Sequence, residues 1–179
     1  MLVDERQFRP YMSPAEVRET ISSLAAQINR DHTVDDKVLL VGVLKGAIIV
    51  MADLVRLLHS DVRVDFVRTV SVGKSQTSAG TVCLMKDISC DVSDLHVIIV
   101  EEIIDSGRAL KFLYDRLKAA NPLSLKVATM MDKREKRMVD VGVDYVGKIV
   151  DDQFLIGYGL DLEEKCRNLP GIFALRYPN

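Results

Sequence analysis

Two adjacent carboxylates, Glu101 and Glu102, directly follow the apolar run His96–Val100. A run of this kind is typical of a buried parallel strand, because both faces of a parallel sheet are covered. The acids therefore emerge at the carboxyl end of a strand, which is where open α/β sheets bind their ligands. Neighbouring carboxylates repel each other, so the pair indicates a ligand that offsets the repulsion, such as ribose hydroxyls, Mg²⁺ or both.

The residues that come next predict a phosphate cradle at the start of a helix. Asp105, Ser106 and Gly107 precede an amphipathic stretch. Free backbone N–H groups at a helix N-terminus bind anions, and a glycine lets the anion approach closely. Taken alone, the acids could be a solvated strand end and Asp105 a helix cap. The buried strand, the acids and the cradle together favour a site for a sugar phosphate.

The rest of the chain alternates apolar runs with amphipathic stretches, which predicts an α/β fold with helices packed on a sheet. No internal repeat, low-complexity tract or linker divides the sequence, so we expect a single domain over residues 1–179. The run Lys37–Val43 is uniformly apolar after its first residue and predicts a central parallel strand. A capping box at Ser13–Glu16, with proline at the first helical position, predicts where the first helix begins.

The spacing of apolar residues gives boundaries for the remaining elements. Helices are predicted over Pro14–Arg30, over Ala47–Leu58 and from Gly107 to Ala120. The predicted strands are Lys37–Val43, Arg63–Ser71, Thr81–Met85, His96–Val100, Leu125–Met131 and Asp144–Val150. Val72–Gly80 is polar and contains two glycines, so we expect a mobile loop there. The tail Phe154–Asn179 carries two short apolar segments around a charged turn.

Composition excludes several classes of protein. The chain has 179 residues, with 24 Lys and Arg against 26 Asp and Glu, a net charge of −2, and 6% aromatic residues. A nucleic-acid-binding surface needs a standing positive field, so we expect no nucleic-acid partner. No apolar run approaches the roughly 20 residues that span a bilayer, and the first residues lack the apolar core of a signal peptide. We therefore expect a cytoplasmic protein without a membrane partner, whose three cysteines remain thiols.

The segment IVEEIIDSGRAL, which ends at Leu110, resembles the ribose-phosphate signature of the type I phosphoribosyltransferases. It is most similar to the hypoxanthine-guanine branch, whose motif reads acid-acid-Ile-Ile-Asp-Thr/Ser-Gly. Further matches to that branch follow the same order along the chain. They are Val43–Ala47 at the pyrophosphate loop, Val64–Phe66 before the lid, Lys133–Arg134 and Phe154–Asp161 at the purine site, and Arg167–Leu169.

The resemblance implies a fold and an activity. The fold would be that of a type I phosphoribosyltransferase, with a small hood formed by the chain ends and a flexible lid at Val72–Gly80. The activity would be purine salvage: Mg²⁺-dependent transfer of the 5-phosphoribosyl group from phosphoribosyl pyrophosphate to N9 of hypoxanthine or guanine. The products would be IMP or GMP and pyrophosphate, and the enzyme would be a homo-oligomer, a dimer or a tetramer. A preference for xanthine or a related base stays open, as does a non-catalytic, nucleotide-sensing RNA-binding regulator of the same fold.

The resemblance also implies roles on the sugar and phosphate side of the site. Glu101 and Glu102 would face the ribose hydroxyls and Mg²⁺. The pyrophosphate would be bound by Lys45, Gly46 and Arg167, with a cis peptide between Leu44 and Lys45. The 5′-phosphate would be held by a run of five residues: Asp105, Ser106, Gly107, Arg108 and Ala109.

On the purine side, the resemblance makes Asp105 the catalytic general base or acid at N7. Lys133 would donate to the 6-oxo group, and Phe154 would stack on the base. The backbone of Leu155 would read the edge of the base, and Asp161 would lie near its exocyclic group and Mg²⁺.

Three positions depart from the usual sequence pattern of the hypoxanthine-guanine branch. Glu102 stands where aspartate is usual, Val72 stands where the lid usually has tyrosine, and Ala109 replaces a hydroxyl residue. The last change removes one donor to the phosphate, which is worth about 1 kcal/mol if backbone groups compensate.

Overall fold

The computed structural model describes residues 7–72 and 81–176, and its helices begin close to the predicted positions. Helix α1 (Pro14–Asp31) starts with the predicted capping box, in which the Ser13 side chain accepts from the backbone N–H of Glu16. Helix α2 (Ala47–Leu54) is shorter than predicted, because its last turn tightens into a 3-10 turn at Val55–Leu57. None of the helices in this part of the chain is long and apolar enough to cross a bilayer.

The strands of the described residues form two sheets, one of which confirms the predicted central sheet. The strands are β1 (Phe8–Met12), β2 (Lys37–Val43), β3 (Asp61–Val72), β4 (Thr81–Lys86), β5 (His96–Ile104), β6 (Ser124–Asp132), β7 (Tyr145–Ile149), β8 (Leu155–Ile156) and β9 (Ile172–Leu175). The central sheet has the order β4-β3-β2-β5-β6-β7. It is parallel except for β4, which runs antiparallel to β3. The predicted lid lies outside the described residues from position 73 to position 80.

The order of the central strands creates a switch point between β2 and β5. The chain passes from β2 through α2 to β3 on one side, whereas β5 pairs with β2 on the other side, with Gly42 opposite Val100. At such a point the loops that leave two neighbouring parallel strands diverge and open a crevice at their carboxyl ends. The predicted site lies in this crevice.

Burial on both faces explains why β2 is so uniformly apolar. Val38 and Leu40 belong to the core under α1 and α2. Leu39 and Val41 belong to the core on the other face, beneath α3 (Arg108–Lys118). Successive strand residues point to opposite faces, so a strand covered on both sides has no position for a polar residue.

Strand β5 is longer than predicted, and this changes the setting of the acid pair. The predicted strand ends at Val100, but the pairing with β6 continues, with Glu101 opposite Thr129 and Ile103 opposite Met131. Strand β2 has ended by then, so β5 projects past it into the crevice. The two acids therefore lie inside a strand rather than after one. Carboxylates are rare in buried strands, which is why the pattern placed the boundary too early.

The ends of the described chain build the second sheet, which is the expected hood. Strand β9 pairs with β1 on one side and with β8 on the other, both antiparallel. Phe8, Ile156 and Leu169 form a small core of their own there. The sequence reading did not assign β1, because its short run includes Arg9 and Pro10 and extends only by pairing with residues far along the chain.

Candidate active site

The Glu102 carboxylate lies directly against the loop that follows β2. A Cβ placed on Gly46 would be 1.6 Å from Glu102 Oε1. No side chain fits between the two residues, so position 46 requires glycine as long as Glu102 keeps this place. The peptide between Leu44 and Lys45, in the same loop, is cis as the resemblance implied.

The two acids are half-buried, and their desolvation is not offset by the described residues. Burial raises the pKa of Glu101 well above its ordinary value, and the charge of Glu102 raises it further. Burial likewise raises the pKa of Glu102, to about 7, despite the nearby charge of Arg167. Within residues 7–72 and 81–176, Glu102 Oε2 is buried without a hydrogen-bond partner. A buried acceptor in this state is costly and indicates a missing cation or donor.

The residues present fit Mg²⁺, provided that substrate oxygens complete its shell. Mg²⁺ binds through one or two carboxylates and takes its other ligands from water and substrate phosphates. Glu102 Oε2 offers such a carboxylate oxygen. Asp161, the third expected ligand, is paired with Arg167 Nη2 at 2.8 Å. Across the described residues, no group of three or more His, Cys, Asp or Glu side chains forms a complete metal site.

The segment after β5 forms the expected cradle. Gly107 has φ +78°, and a Cβ there would be 2.6 Å from Cδ of Arg137. Helix α3 begins at the next residue, and its N-cap Gly107 has no side chain to cap the first turn. The side-chain contact to that turn is a long one, from the Arg108 N–H to Ser106 Oγ at 3.5 Å. The Ser106 carbonyl accepts from the backbone N–H of Met138 at 3.0 Å, which ties the cradle to the turn after β6. The uncapped N–H groups and the helix dipole suit an anion.

The residues expected to bind pyrophosphate lie beside Glu102. Arg167 is half-buried, donates to the Gly159 carbonyl at 2.8 Å and pairs with Glu164 at 3.2 Å. Lys45 Nζ lies 2.9 Å from the same Glu164 carboxylate. Arg167 Nε is buried and has no acceptor among the described residues. Next to the orphaned oxygen of Glu102, this donor indicates a ligand that brings both a cation and an anion.

A cavity of about 410 Å³ opens at the residues that follow the acids in the chain, Ile103 and Asp105. Its volume suits a small ligand. The lining combines apolar side chains with both signs of charge, and comprises Ile103, Asp105, Lys133, Lys136, Asp152, Phe154, Leu155, Leu160 and Asp161. Lys133 is buried, whereas Phe154 exposes 42% of its surface and so has a free face for stacking.

The structure thus brings the expected residues together in three adjoining groups. Asp105, Lys133, Phe154, Leu155 and Asp161 share the cavity. Glu102 and Gly46 touch, and Lys45 and Arg167 are linked through Glu164. Ser106, Gly107, Arg108 and Ala109 form the end of the cradle, where the backbone N–H of Arg108 faces Ser106 Oγ at 3.5 Å. Glu101 precedes Glu102 in β5.

Several residues of the site were not recognised in the sequence. Lys136 and Asp152 line the cavity, and Glu164 joins the two cations of the pyrophosphate side. Gly159 supplies the carbonyl for Arg167 and has φ +99°. The signal for Lys136 was its spacing of three from Lys133, but charged runs of this type are usually solvated surfaces.

Comparison with known proteins agrees with this arrangement. Residues 14–163 match the family described as the phosphoribosyl transferase domain. The chain is 36% identical to the hypoxanthine-guanine phosphoribosyltransferase of Aquifex aeolicus over 170 residues, which covers 95% of this chain and 96% of that protein. The enzyme of the same name from Streptococcus pneumoniae (strain R6) is 38% identical over 165 residues, 92% of this chain and 91% of the other.

A solved structure shares the fold as well as the sequence. The hypoxanthine-guanine phosphoribosyltransferase of Bacillus anthracis, with a HEPES molecule in its active site, superposes with a TM-score of 0.88 at 40% identity. The match covers 94% of this chain and 98% of that one. The fold described above is thus shared with that enzyme over nearly the whole length of both chains. On the motif, the fold and the identities together, this chain belongs to the phosphoribosyltransferase family, within its hypoxanthine-guanine branch.

Proposed function

We propose that this protein transfers the 5-phosphoribosyl group from phosphoribosyl pyrophosphate to N9 of hypoxanthine or guanine, in purine salvage. The products are IMP or GMP and pyrophosphate. The observation that carries the proposal is the adjacency of the purine-sized cavity, with Lys133 and Asp105, to the orphaned Glu102 oxygen and Arg167 Nε. One side suits a polar heterocycle, and the other suits a metal-bound polyanion.

The sugar phosphate is bound by the acids and the cradle. Glu101 and Glu102 accept from the ribose hydroxyls, and the backbone from Asp105 to Ala109 donates to the 5′-phosphate. The support for this assignment is the glycine-capped start of α3, which follows closely on the half-buried acids along the chain. Both ends of the sugar are then fixed relative to the purine.

Lys45, Gly46 and Arg167 bind the pyrophosphate. Glu101 and Glu102, with Asp161 nearby, would hold Mg²⁺, which would supply positive charge to neutralise the leaving group. Arg167 offers its free Nε–H, and guanidinium geometry suits phosphate oxygens. Gly46 lets the polyanion approach the backbone, since a side chain there would collide with Glu102.

Phe154, Leu155 and Asp161 hold the base, and Lys133 donates to its 6-oxo group. In the reaction N9 forms a bond to the anomeric carbon, and pyrophosphate leaves with the electron pair of the broken C–O bond. The sugar gains oxocarbenium character on the way. The proton on N7 passes to the carboxylate of Asp105, which lines the cavity. Adenine lacks the 6-oxo acceptor, so Lys133 selects against it.

We further expect a homo-oligomer, a dimer or a tetramer, as the resemblance implies. The cytoplasm is the expected compartment. Cys83, Cys90 and Cys166 are all free thiols, which suits a reducing compartment.

The test is a side-by-side assay of the purified protein with phosphoribosyl pyrophosphate and Mg²⁺. Hypoxanthine, guanine, xanthine and adenine are supplied separately, and the nucleotides formed are measured. We expect IMP and GMP and no AMP. The rate with xanthine, compared with the rates for hypoxanthine and guanine, gives the preference of the enzyme among the three bases. Asp105→Asn should lose on the order of 10²–10⁴-fold in turnover while still binding IMP. No nucleotide from any oxopurine would overturn the proposal and favour the regulator with the same fold.

A further inference from the structure

Lys136 lies at the purine cavity, and the roles assigned above do not include it. Its Nζ is 3.1 Å from Asp105 Oδ2 and 3.1 Å from Asp152 Oδ1. The Nζ of Lys133 faces the same two carboxylates, at 3.5 Å from Asp105 and 3.3 Å from Asp152. These four side chains form a closed ring of alternating charges, which we call the charge ring.

The backbone fixes Lys136 in the charge ring. Lys133 directly follows β6, and the next three residues, Arg134–Lys136, form a 3-10 turn. In such a turn, side chains three residues apart eclipse each other, so both ammonium groups leave on the same side. The backbone N–H of Lys136 donates to the Lys133 carbonyl at 3.1 Å, which closes the turn.

The charge ring determines what Lys133 has available for a purine. An ammonium group has three hydrogens, and here Lys133 donates one to Asp152 at 3.3 Å while Asp105 attracts it as an ion pair at 3.5 Å. Without Lys136, Lys133 is the cation that remains in the ring for both carboxylates. A base that needs a hydrogen from Lys133 at its 6-oxo group would then have to displace a carboxylate from it.

We propose that Lys136 is a positioning residue that holds Asp105 and Asp152, so that Lys133 keeps a hydrogen for the 6-oxo group and Asp105 faces N7. This inference rests on the proposed function. Burial lowers the pKa of Lys136, but its hydrogen bonds to Asp152 and Asp105 outweigh burial and raise the pKa. Lys136 therefore stays charged at neutral pH.

The test compares variants of position 136 by steady-state kinetics. Lys136→Met should raise KM for hypoxanthine about fivefold, the upper end for a half-exposed ion pair. The KM for phosphoribosyl pyrophosphate should change less than about twofold, because the pyrophosphate side is untouched. The kcat should fall, because Asp105 loses the cation that holds it towards N7. Lys136→Arg should restore most of the KM. The control is Lys37→Met, at an exposed position at the other end of the sheet.

The decisive variant is the double mutant Lys136→Met with Asp152→Asn. Removing the second carboxylate relieves Lys133, so KM for hypoxanthine should return to within about twofold of the wild-type value. A purely structural role for Lys136 would leave the double mutant at least as impaired as Lys136→Met, and that result overturns the inference. An unchanged KM in Lys136→Met, in an active enzyme, overturns it too. If the wild type forms no nucleotide, the proposed function falls and the positioning role falls with it.

Discussion

The half-buried acid pair shows at the scale of single residues how a binding site can reduce stability. A carboxylate whose pKa is raised in the folded state stabilises the protein fully only below its ordinary pKa. That contribution is lost as the pH rises through the raised value. The ordinary pKa is 4.5 for both acids, and the raised value of Glu102 is about 7. At neutral pH the ligand-free fold is therefore destabilised by its own site.

Replacing Glu101 by glutamine should remove part of this cost. We expect Glu101→Gln to raise Tm at pH 8, by about 2–4 °C for each kcal/mol removed. Activity should fall, because glutamine is a weaker partner for ribose hydroxyls and Mg²⁺. The Tm difference between variant and wild type should shrink towards pH 4.5, where the native carboxyl is protonated. Thermal melts of the ligand-free proteins between pH 4.5 and pH 8 measure this.

Glu19→Gln is the matched control for that series, because Glu19 lies on the exposed face of α1. Its melting curve should follow the wild type at every pH. A Glu101→Gln difference that is equal at pH 4.5 and pH 8 would show that ionisation is not its source.

Residues that act locally were predictable, and residues that act through distant partners were not. Glu102 lies near the carboxyl end of β5, and Asp105 and Gly107 follow directly after it, so the apolar run His96–Val100 was enough to locate them. Asp152 acts only because its loop meets the turn after β6, at 3.1 Å from Lys136. No pattern in the neighbouring sequence indicates that this contact forms.

At the scale of elements, a turn at the base of the hood packs against the loop that follows β2. Gly159 has φ +99°, and a Cβ there would be 2.2 Å from the Gly46 carbonyl oxygen. The backbone N–H of Gly159 donates to the Arg167 carbonyl at 2.9 Å, and Arg167 Nη1 donates back to the Gly159 carbonyl. The turn thus sets the place of both the loop and the arginine.

Gly159→Ala should disturb this contact more than it disturbs the purine side. The left-handed backbone and the collision together should cost about 1–3 kcal/mol of stability. KM for phosphoribosyl pyrophosphate should rise about tenfold, because the loop and Arg167 are displaced together. KM for hypoxanthine should change much less. Steady-state kinetics with each substrate varied in turn, together with Tm, tests this.

Gly142→Ala provides the control for the glycine substitution, since a Cβ at Gly142 would meet nothing within 4 Å. It should leave both KM values unchanged. A Gly159→Ala enzyme that loses affinity for both substrates equally would contradict a specific effect on the pyrophosphate side.

Element boundaries followed the sequence wherever a local signal existed. Ser13, Pro14 and Glu16 begin α1 where predicted, because a capping box is a local interaction. Strand β5 passes its predicted end, because its last residues are held by β6 rather than by their own propensity.

At the scale of the whole molecule, the two ends of the central sheet respond to pH in opposite ways. A cluster of polar side chains lies at the amino ends of the strands, and includes His32, His96, Asp31, Asp36, Lys126 and Tyr145. Burial lowers the pKa of His32 below its ordinary value of 6.5, and the charges of His96 and Lys126 lower it further, against Asp36 and Asp31. Below pH 6.5, His32 therefore binds a proton more readily in the unfolded chain than in the folded protein. This contribution to stability is lost as the pH falls below 6.5.

His32→Gln should isolate that contribution. The variant should be less stable than the wild type at pH 8, because it loses packing and the contact of Nε2 with the Tyr145 hydroxyl at 3.5 Å. The gap in Tm should narrow between pH 6.5 and pH 5, since only the wild type is destabilised by protonation there. Melts of both proteins over this range give the difference directly, and a gap that is constant with pH would exclude His32 as its source.

The alternation of apolar and amphipathic stretches was enough to predict the central sheet with its helices. It did not predict the pairing of the chain ends that forms the hood. Apolar runs such as Lys37–Val43 gave the parallel sheet, because two-sided burial leaves a clear composition. The hood came from the resemblance, since Phe8 and Leu175 pair across nearly the whole chain. Such pairing depends on the completed fold rather than on neighbouring residues.

Strand β1 can pair with β9 only after residue 175 has left the ribosome. The hood is therefore among the last parts of the protein to form during synthesis. The central sheet can assemble earlier, with its acid pair already in place at the crevice. Arg167 and Gly159 reach that crevice only with the hood. A nascent chain therefore carries the acid pair, proposed to bind the sugar, well before Arg167, proposed to bind the leaving group. We expect a product truncated before β9 to be inactive even when most of its core has folded.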